Sequence, residues 1–302
     1  MLSNPNRQAI LLRRTDSLIH HDNQPSSSQA FNMTKSNSEF LMPYQRQGQG
    51  DALILLHGAL ADPRLWAPHQ ASLAKSYDVI VPCLRHFGET QPAPGSFGLN
   101  THARDLLTLL DHLALERVHL VAWSYGADVA LNAATLAPQR FASLCLCDPG
   151  FPGYLADEAM AEFGADAQAM FEPVFPLAAE AQWPEAVRQL IDGSGGAPGY
   201  FDRQPDAVRQ QQLDNAGSLD LQLHQNETPN LTAETLAGLN IPTTIARGEN
   251  TRPLFRVVCN AARSHLPRSR EVILADANHM LPVEAPERFV ALIEEHLEAL
   301  PD

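Results

Sequence analysis

Residues 118–129, VHLVAWSYGADV, hold the feature that most limits how this chain can fold: a serine at the junction between a strand and a helix. Val118-His119-Leu120-Val121-Ala122 is a short, β-branched apolar run of the kind that forms a buried strand. From Ala127 the sequence turns Ala-rich and reads as a helix. Only Trp123-Ser124-Tyr125-Gly126 separate the two, so the chain must reverse within a few residues. Ala122 lies two residues before Ser124 and Gly126 two after, and a turn this sharp admits only small side chains at both places. The helix must also pack closely on the strand it has just left. The pattern is that of a nucleophile elbow, G-x-S-x-G, with Ala122 in place of the first glycine; such a turn leaves the serine hydroxyl exposed at the strand end.

Serine and glycine often share turns for structural reasons, so the elbow pattern is weak alone. Its weight comes from the rest of the chain. Leu53–Leu56 is an apolar strand followed at once by His57-Gly58-Ala59-Leu60. Val272-Ile273-Leu274 is a late strand followed by Ala275-Asp276-Ala277-Asn278-His279-Met280. Val79–Val81, Leu144–Cys147 and Thr243–Ala246 read as further strands, with helical patterns between them. Helices alternating with strands predict a mainly parallel sheet flanked by helices, joined by right-handed crossovers. Phe40–Arg46 is expected to form an edge strand, and Thr101 to cap a helix carrying Leu106, Leu109, Leu110 and Leu113. Pro286 is expected to start the final helix, with His296 on its apolar stripe as a packing residue.

With the His-Gly loop, the serine elbow and a late Asn-His-Met in that order, the chain from about Met42 to its end resembles the α/β-hydrolase fold family of the serine ester-hydrolase type. The resemblance implies a helical cap inserted after the sixth strand. The interval 151–239 suits that place: it is rich in Ala, Gln, Phe and Pro, reads as short helices broken at Gly193-Ser194-Gly195-Gly196, and is far longer than a simple crossover needs. Met170, Phe171, Phe175, Trp183 and Tyr200 are candidates for its underside or its own core. Residues 39–150 and 240–302 then form the hydrolase core. Residues 1–38, polar and aperiodic, are expected to be disordered.

A serine hydroxyl becomes an effective nucleophile when a base takes its proton during attack. His279, after the last strand, is the candidate base for Ser124. An acid must hold the imidazole's tautomer. Asp148 and Glu249 both follow neighbouring strands. The resemblance places the acid more often after the later strand, two or three residues past a glycine, but Asn250 and Thr251 stand there and Glu249 is adjacent to Gly248. Some relatives carry it after the preceding strand, which matches Asp148, the favoured residue. The oxyanion donors are expected to be the backbone N–H groups of Tyr125 and of Ala59, less so Leu60, with His57 supporting the latter loop. His86 is expected to hydrogen-bond a loop backbone rather than line the site.

Ser124 at the elbow separates this chain from relatives such as epoxide hydrolases, which attack with an aspartate there, and argues for acyl transfer to water. No P-loop or H-E-x-x-H pattern occurs, so no cofactor or metal is implied. With 302 residues and a formal net charge of −14, the chain suits neither nucleic acid nor an anionic membrane. No apolar run approaches the roughly 20 residues of a membrane span. Cys83, Cys145, Cys147 and Cys259 form no C-x-x-C pair and read as small buried fillers in a cytoplasmic protein. The expected activity is hydrolysis of a small carboxylic ester or related acyl compound. C–C bond hydrolysis or thioester hydrolysis by the same residues is the enzymatic alternative, and a non-catalytic binding protein the alternative from another class.

Overall fold

A computed structural model describes residues 40–300 of the chain. The expectation of disorder for residues 1–38 lies outside these residues. Seven strands form one sheet in the order β1-β3-β2-β4-β5-β6-β7: β1 (Tyr44–Gln47), β2 (Ala52–Leu56), β3 (Asp78–Pro82), β4 (Val118–Trp123), β5 (Phe141–Cys147), β6 (Thr243–Gly248) and β7 (Ser269–Leu274). Only the edge strand β1 runs antiparallel, on β3; the other pairs are parallel. Leu53–Leu56 and Leu120–Trp123 are buried on both faces, as central strands covered by helices must be.

The helices between strands are α1 (Ala67–Leu73), α2 (Leu99–His112) and α3 (Tyr125–Leu136), then α4 (Asp157–Phe171), α5 (Val174–Ala179), α6 (Trp183–Gly195), α7 (Tyr200–Arg203), α8 (Asp206–Asp214), α9 (Ala216–His224) and α10 (Ala233–Ala237). After β6 come α11 (Pro253–His265), α12 (Leu281–Glu284) and α13 (Pro286–Glu298). The seven helices α4–α10 all fall between β5 and β6, so five strands precede this insertion among the described residues, not six. No helix among them is long and apolar enough to cross a membrane.

Three local readings need correction. Helix α2 starts at Leu99, not after Thr101, and its N-cap Gly98 has no side chain to offer. Instead the carboxylate of Glu227, at the far end of the insertion, accepts the N–H groups of Asn100 (2.6 Å) and Thr101 (3.1 Å) and the Thr101 hydroxyl. Helix α6 runs through Gly193 and Gly195 and stops at Gly196, which is left-handed at φ 77°. A side chain at 195 would strike the Tyr200 ring, so the glycine there serves close packing rather than a break. Finally, of the residues expected on the underside or in the core of the insertion, Met170 and Tyr200 are buried, whereas Phe175 is 43% exposed beside Phe171, with ring centroids 6.0 Å apart.

Four of the buried histidines are held neutral far below the ordinary imidazole range. His57, His69 and His296 are depressed to about 4, and His102 to about 3, chiefly because burial penalises the imidazolium. His296 is more than packing: its Nδ1 bonds Thr244 Oγ1 and its Nε2 bonds Ser143 Oγ, each at 2.8 Å. The unfolded chain binds protons on these rings below pH ~6.5, whereas the folded one does not until about pH 4, so stability falls as pH drops through that window. Buried Asp128, pushed up to about 7 mainly by burial, opposes this with one proton. These five groups together are expected to cost about 3 kcal/mol of stability between pH 7.5 and pH 5.5, read by urea unfolding at both pH values. Equal unfolding midpoints would refute the assignment of neutral buried rings.

Candidate active site

The register explains why three distant residues meet. Ala122 pairs with Leu56 on one side and Leu146 on the other, and Trp123 pairs with Cys147. Ser124 and Asp148 therefore leave adjacent strands at the same level. The ladder carries one step further, with the Ser124 N–H donating to the Cys147 carbonyl (2.8 Å) and the Asp148 N–H to the Ala246 carbonyl (3.0 Å). Both residues then turn sharply: Ser124 has φ 54° and Asp148 φ 49°, a left-handed region costly to a residue with a side chain.

Gly126 makes the elbow possible. A Cβ there would lie 2.8 Å from the Leu56 carbonyl oxygen and closer still to that of His57. A Cβ on Gly58 would lie 3.0 Å from the Cβ of Ser124, so the loop carrying Ala59 is pressed against the serine. His57 holds that loop: its Nε2 accepts the Leu84 N–H (3.1 Å), which leaves Nδ1–H to donate to the Gly58 carbonyl (2.9 Å). Tyr125 opens helix α3, where the first N–H groups have no partner inside the helix. Its hydroxyl is engaged elsewhere, bonded to His102 Nδ1 at 2.8 Å. His86 bonds the Ser96 carbonyl at 3.2 Å, as a loop residue.

His279 starts from the edge of the sheet and reaches back to its middle. The loop after β7 crosses directly over Gly248, where a Cβ would meet the backbone of Ala277 and Asn278. The Asn250 N–H donates to the Ala277 carbonyl (2.7 Å), and the Trp123 indole N–H to the His279 carbonyl (2.9 Å). The imidazole then spans the other two groups, with Nε2 3.1 Å from Ser124 Oγ and Nδ1 3.2 Å from Asp148 Oδ2. A carboxylate only accepts, so Nδ1 carries the proton and Nε2 is left to accept from the serine hydroxyl. Glu249, the other candidate acid, is exposed, and its carboxylate accepts the Asp276 N–H at 3.2 Å.

Several residues around the site carried no signal in the sequence. Asp148 is fully buried, and its carboxylate receives the Thr251 hydroxyl on Oδ2 (2.8 Å) and the Cys259 thiol near Oδ1 (3.8 Å). Phe255 stacks on His279 with ring centroids 3.8 Å apart and planes within 8°. Asp128, on the helix that follows Ser124, accepts the N–H groups of Gly150 and Phe151, both at 3.0 Å, and so pins the turn that carries Asp148. Thr251 stood at a position where an acid was sought, but a hydroxyl donor leaves no pattern of its own.

This arrangement can move a proton from a hydroxyl to an imidazole. The family described as alpha/beta hydrolase fold matches residues 51–286. A 2-hydroxy-6-oxo-6-phenylhexa-2,4-dienoate hydrolase of Comamonas testosteroni is 31% identical over 163 residues, covering 52% of this chain and 54% of that protein. A dihydrolipoyllysine-residue acetyltransferase component of the acetoin cleaving system of Cupriavidus necator is 26% identical over 265 residues, covering 84% of this chain and 66% of that protein. The chain thus spans less than two thirds of the length of either curated relative. Among solved structures, a thermophilic esterase from Thermogutta terrifontis superposes with a TM-score of 0.65 at 27% identity, over 86% of this chain and 93% of that one. With its parallel sheet, its serine turn and a match over most of its length, the chain belongs to the α/β-hydrolase fold family.

Proposed function

We propose that the protein is a serine hydrolase of a small carboxylic ester or related acyl compound. The observation that carries this reading is the continuous chain from Ser124 Oγ through His279 to Asp148, at 3.1 and 3.2 Å. Ser124 Oγ attacks the acyl carbon while His279 Nε2 takes its proton. Asp148 steadies the resulting imidazolium through Nδ1–H without itself being protonated. The oxyanion forms toward the backbone N–H groups of Tyr125 and Ala59. His279 then returns the proton to the departing alkoxide, leaving an acyl-serine and a free alcohol. Water repeats the sequence: His279 takes its proton, the hydroxyl adds to the acyl carbon, and the proton goes back to Ser124 Oγ as the acid leaves. The insertion acts as the cap, whose side chains select the acyl group.

The identity to a hydrolase of a 6-oxo-dienoate favours a second reading. That compound's name contains no ester, so its hydrolysis breaks a carbon–carbon bond beside a ketone, and the same nucleophile and base would serve.

Reaction with a fluorophosphonate probe tests both readings against a non-catalytic binding role, because only an activated serine reacts. A panel of short- and medium-chain acyl esters, run beside a 6-oxo-dienoate, separates them. We expect stoichiometric labelling and turnover of short-chain esters. A protein that neither labels nor turns over any of these compounds would defeat the proposal.

A further inference from the structure

The segment from Thr251 to Phe255 touches two members of the site from behind. Thr251 donates its hydroxyl to Asp148 Oδ2 at 2.8 Å, and Phe255 lies flat on the His279 ring at 3.8 Å. What fixes this segment comes from the insertion. Asp166, on α4, receives Arg252 on both oxygens, Nε to Oδ2 at 2.9 Å and Nη2 to Oδ1 at 2.8 Å, and also accepts the N–H of Leu254 at 3.0 Å. A third Arg252 nitrogen donates to the Gly193 carbonyl on α6 at 2.8 Å. The pair is partly buried, with both side chains 16% exposed. Burial raises the Asp166 carboxyl, but Arg252 and the Leu254 amide outweigh it and hold it below its ordinary value.

We infer that Asp166 is a positioning residue for the active site, holding the Thr251–Phe255 segment so that Asp148 and His279 keep their alignment. The bidentate geometry is what gives it this capacity: a forked pair fixes orientation as well as distance, whereas a single surface contact fixes neither. The insertion is then part of the frame that aims the acid and the base, beyond any part it has in contacting substrate. A built-in comparison exists on the same two helices. Glu162 pairs with Arg256 at 2.5 Å, also joining α4 to α11, but both side chains are over 40% exposed and the pair is a single surface contact. General docking of α4 on α11 would make the two pairs alike; positioning singles out Asp166.

The kinetic arm of the test rests on the proposed ester hydrolysis, and the spectroscopic arm does not. Asp166→Ala and Glu162→Ala are compared with the wild type on one ester, and the imidazole signals of ¹⁵N-histidine-labelled protein are followed by NMR, with His279→Gln giving the assignment. We expect Asp166→Ala to lower kcat about 10- to 100-fold, the scale of a misplacement near 1 Å, with KM changed less than about threefold. The His279 signals should shift while those of buried His57 and His296 stay. Glu162→Ala should leave both readouts as in the wild type. Should alanine at 166 fail to fold, Asp166→Asn, which keeps the shape and one acceptor, replaces it. Unmoved His279 signals in the Asp166 variant, or an equal effect from Glu162→Ala, would overturn the inference. A wild type that hydrolyses no ester would count against the proposed function alone, leaving the NMR comparison to decide this one.

Discussion

Ser124→Ala is expected to reduce kcat by about 10⁶ while leaving the fold intact, the scale on which removing the nucleophile disables such a unit. The side chain of Ser124 contributes one bond to the structure, the 3.1 Å contact to His279, and alanine bears the same strain at φ 54° as serine does. Thermal unfolding should therefore shift by no more than a few degrees, consistent with a change of under about 1 kcal/mol. Some rate above that in water should survive, because the amides of Ala59 and Tyr125 are backbone groups that the substitution leaves in place. The measurement is kcat on the best ester of the panel, with probe labelling beside it. Wild-type turnover in the variant would mean that the chemistry lies elsewhere.

Asp148→Asn should cost up to about 10⁴ in kcat, the loss seen when the acid of such a triad is neutralised. The carboxylate takes two donors on Oδ2, from His279 and Thr251, and an asparagine that set its nitrogen there would turn a donating amide toward both. With its nitrogen toward His279, it would favour the tautomer that presents N–H to Ser124. Glu249→Gln should cost less than about tenfold, as expected for a group outside the reacting unit. Its carboxylate bonds the Asp276 amide, a contact that a glutamine oxygen can replace. Both variants are read at pH ~8, where a histidine of ordinary pKa ~6.5 is neutral. A large loss confined to Glu249→Gln would reverse the assignment.

The strands and the elbow were legible because each rests on local chemistry. A β-branched run, a small residue on either side of a serine, and prolines at 253 and 286 that open helices all act within a few residues. The start of helix α2 was not legible because its cap is Glu227, more than a hundred positions away, and no local window contains it. Gly193 and Gly195 read as breakers, yet the helix passes through both, and a Cβ would press on Met170 at the first and on the Tyr200 ring at the second. The choice between Asp148 and Glu249 stayed open in the sequence for a similar reason. Each follows a strand, and what separates them is the loop from Ala275 to Asn278 folding back over Gly248 to bring His279 to the central strands. The supporting residues were illegible altogether: a stacked phenylalanine and a donating threonine are ordinary residues until the fold sets them against an imidazole and a carboxylate.

The way Asp62 is held bears on exchanging parts between relatives. Asp62 is 2% exposed, and beyond Arg64 its carboxylate relies on Gln211 and Asn215 of the insertion, at 2.9 and 2.8 Å. Asn215 also accepts the N–H of Gly88, while Glu227 caps α2. A chimera that replaced residues 151–239 with another protein's helices would thus remove amide donors from a buried carboxylate and a carboxylate from a bare helix end. Grafts that keep Gln211, Asn215 and Glu227 should yield folded hybrids, and those that discard them should need Asp62 replaced as well. On the proposed cap role of the insertion, a change of specificity is therefore better sought by altering side chains within it than by swapping it whole.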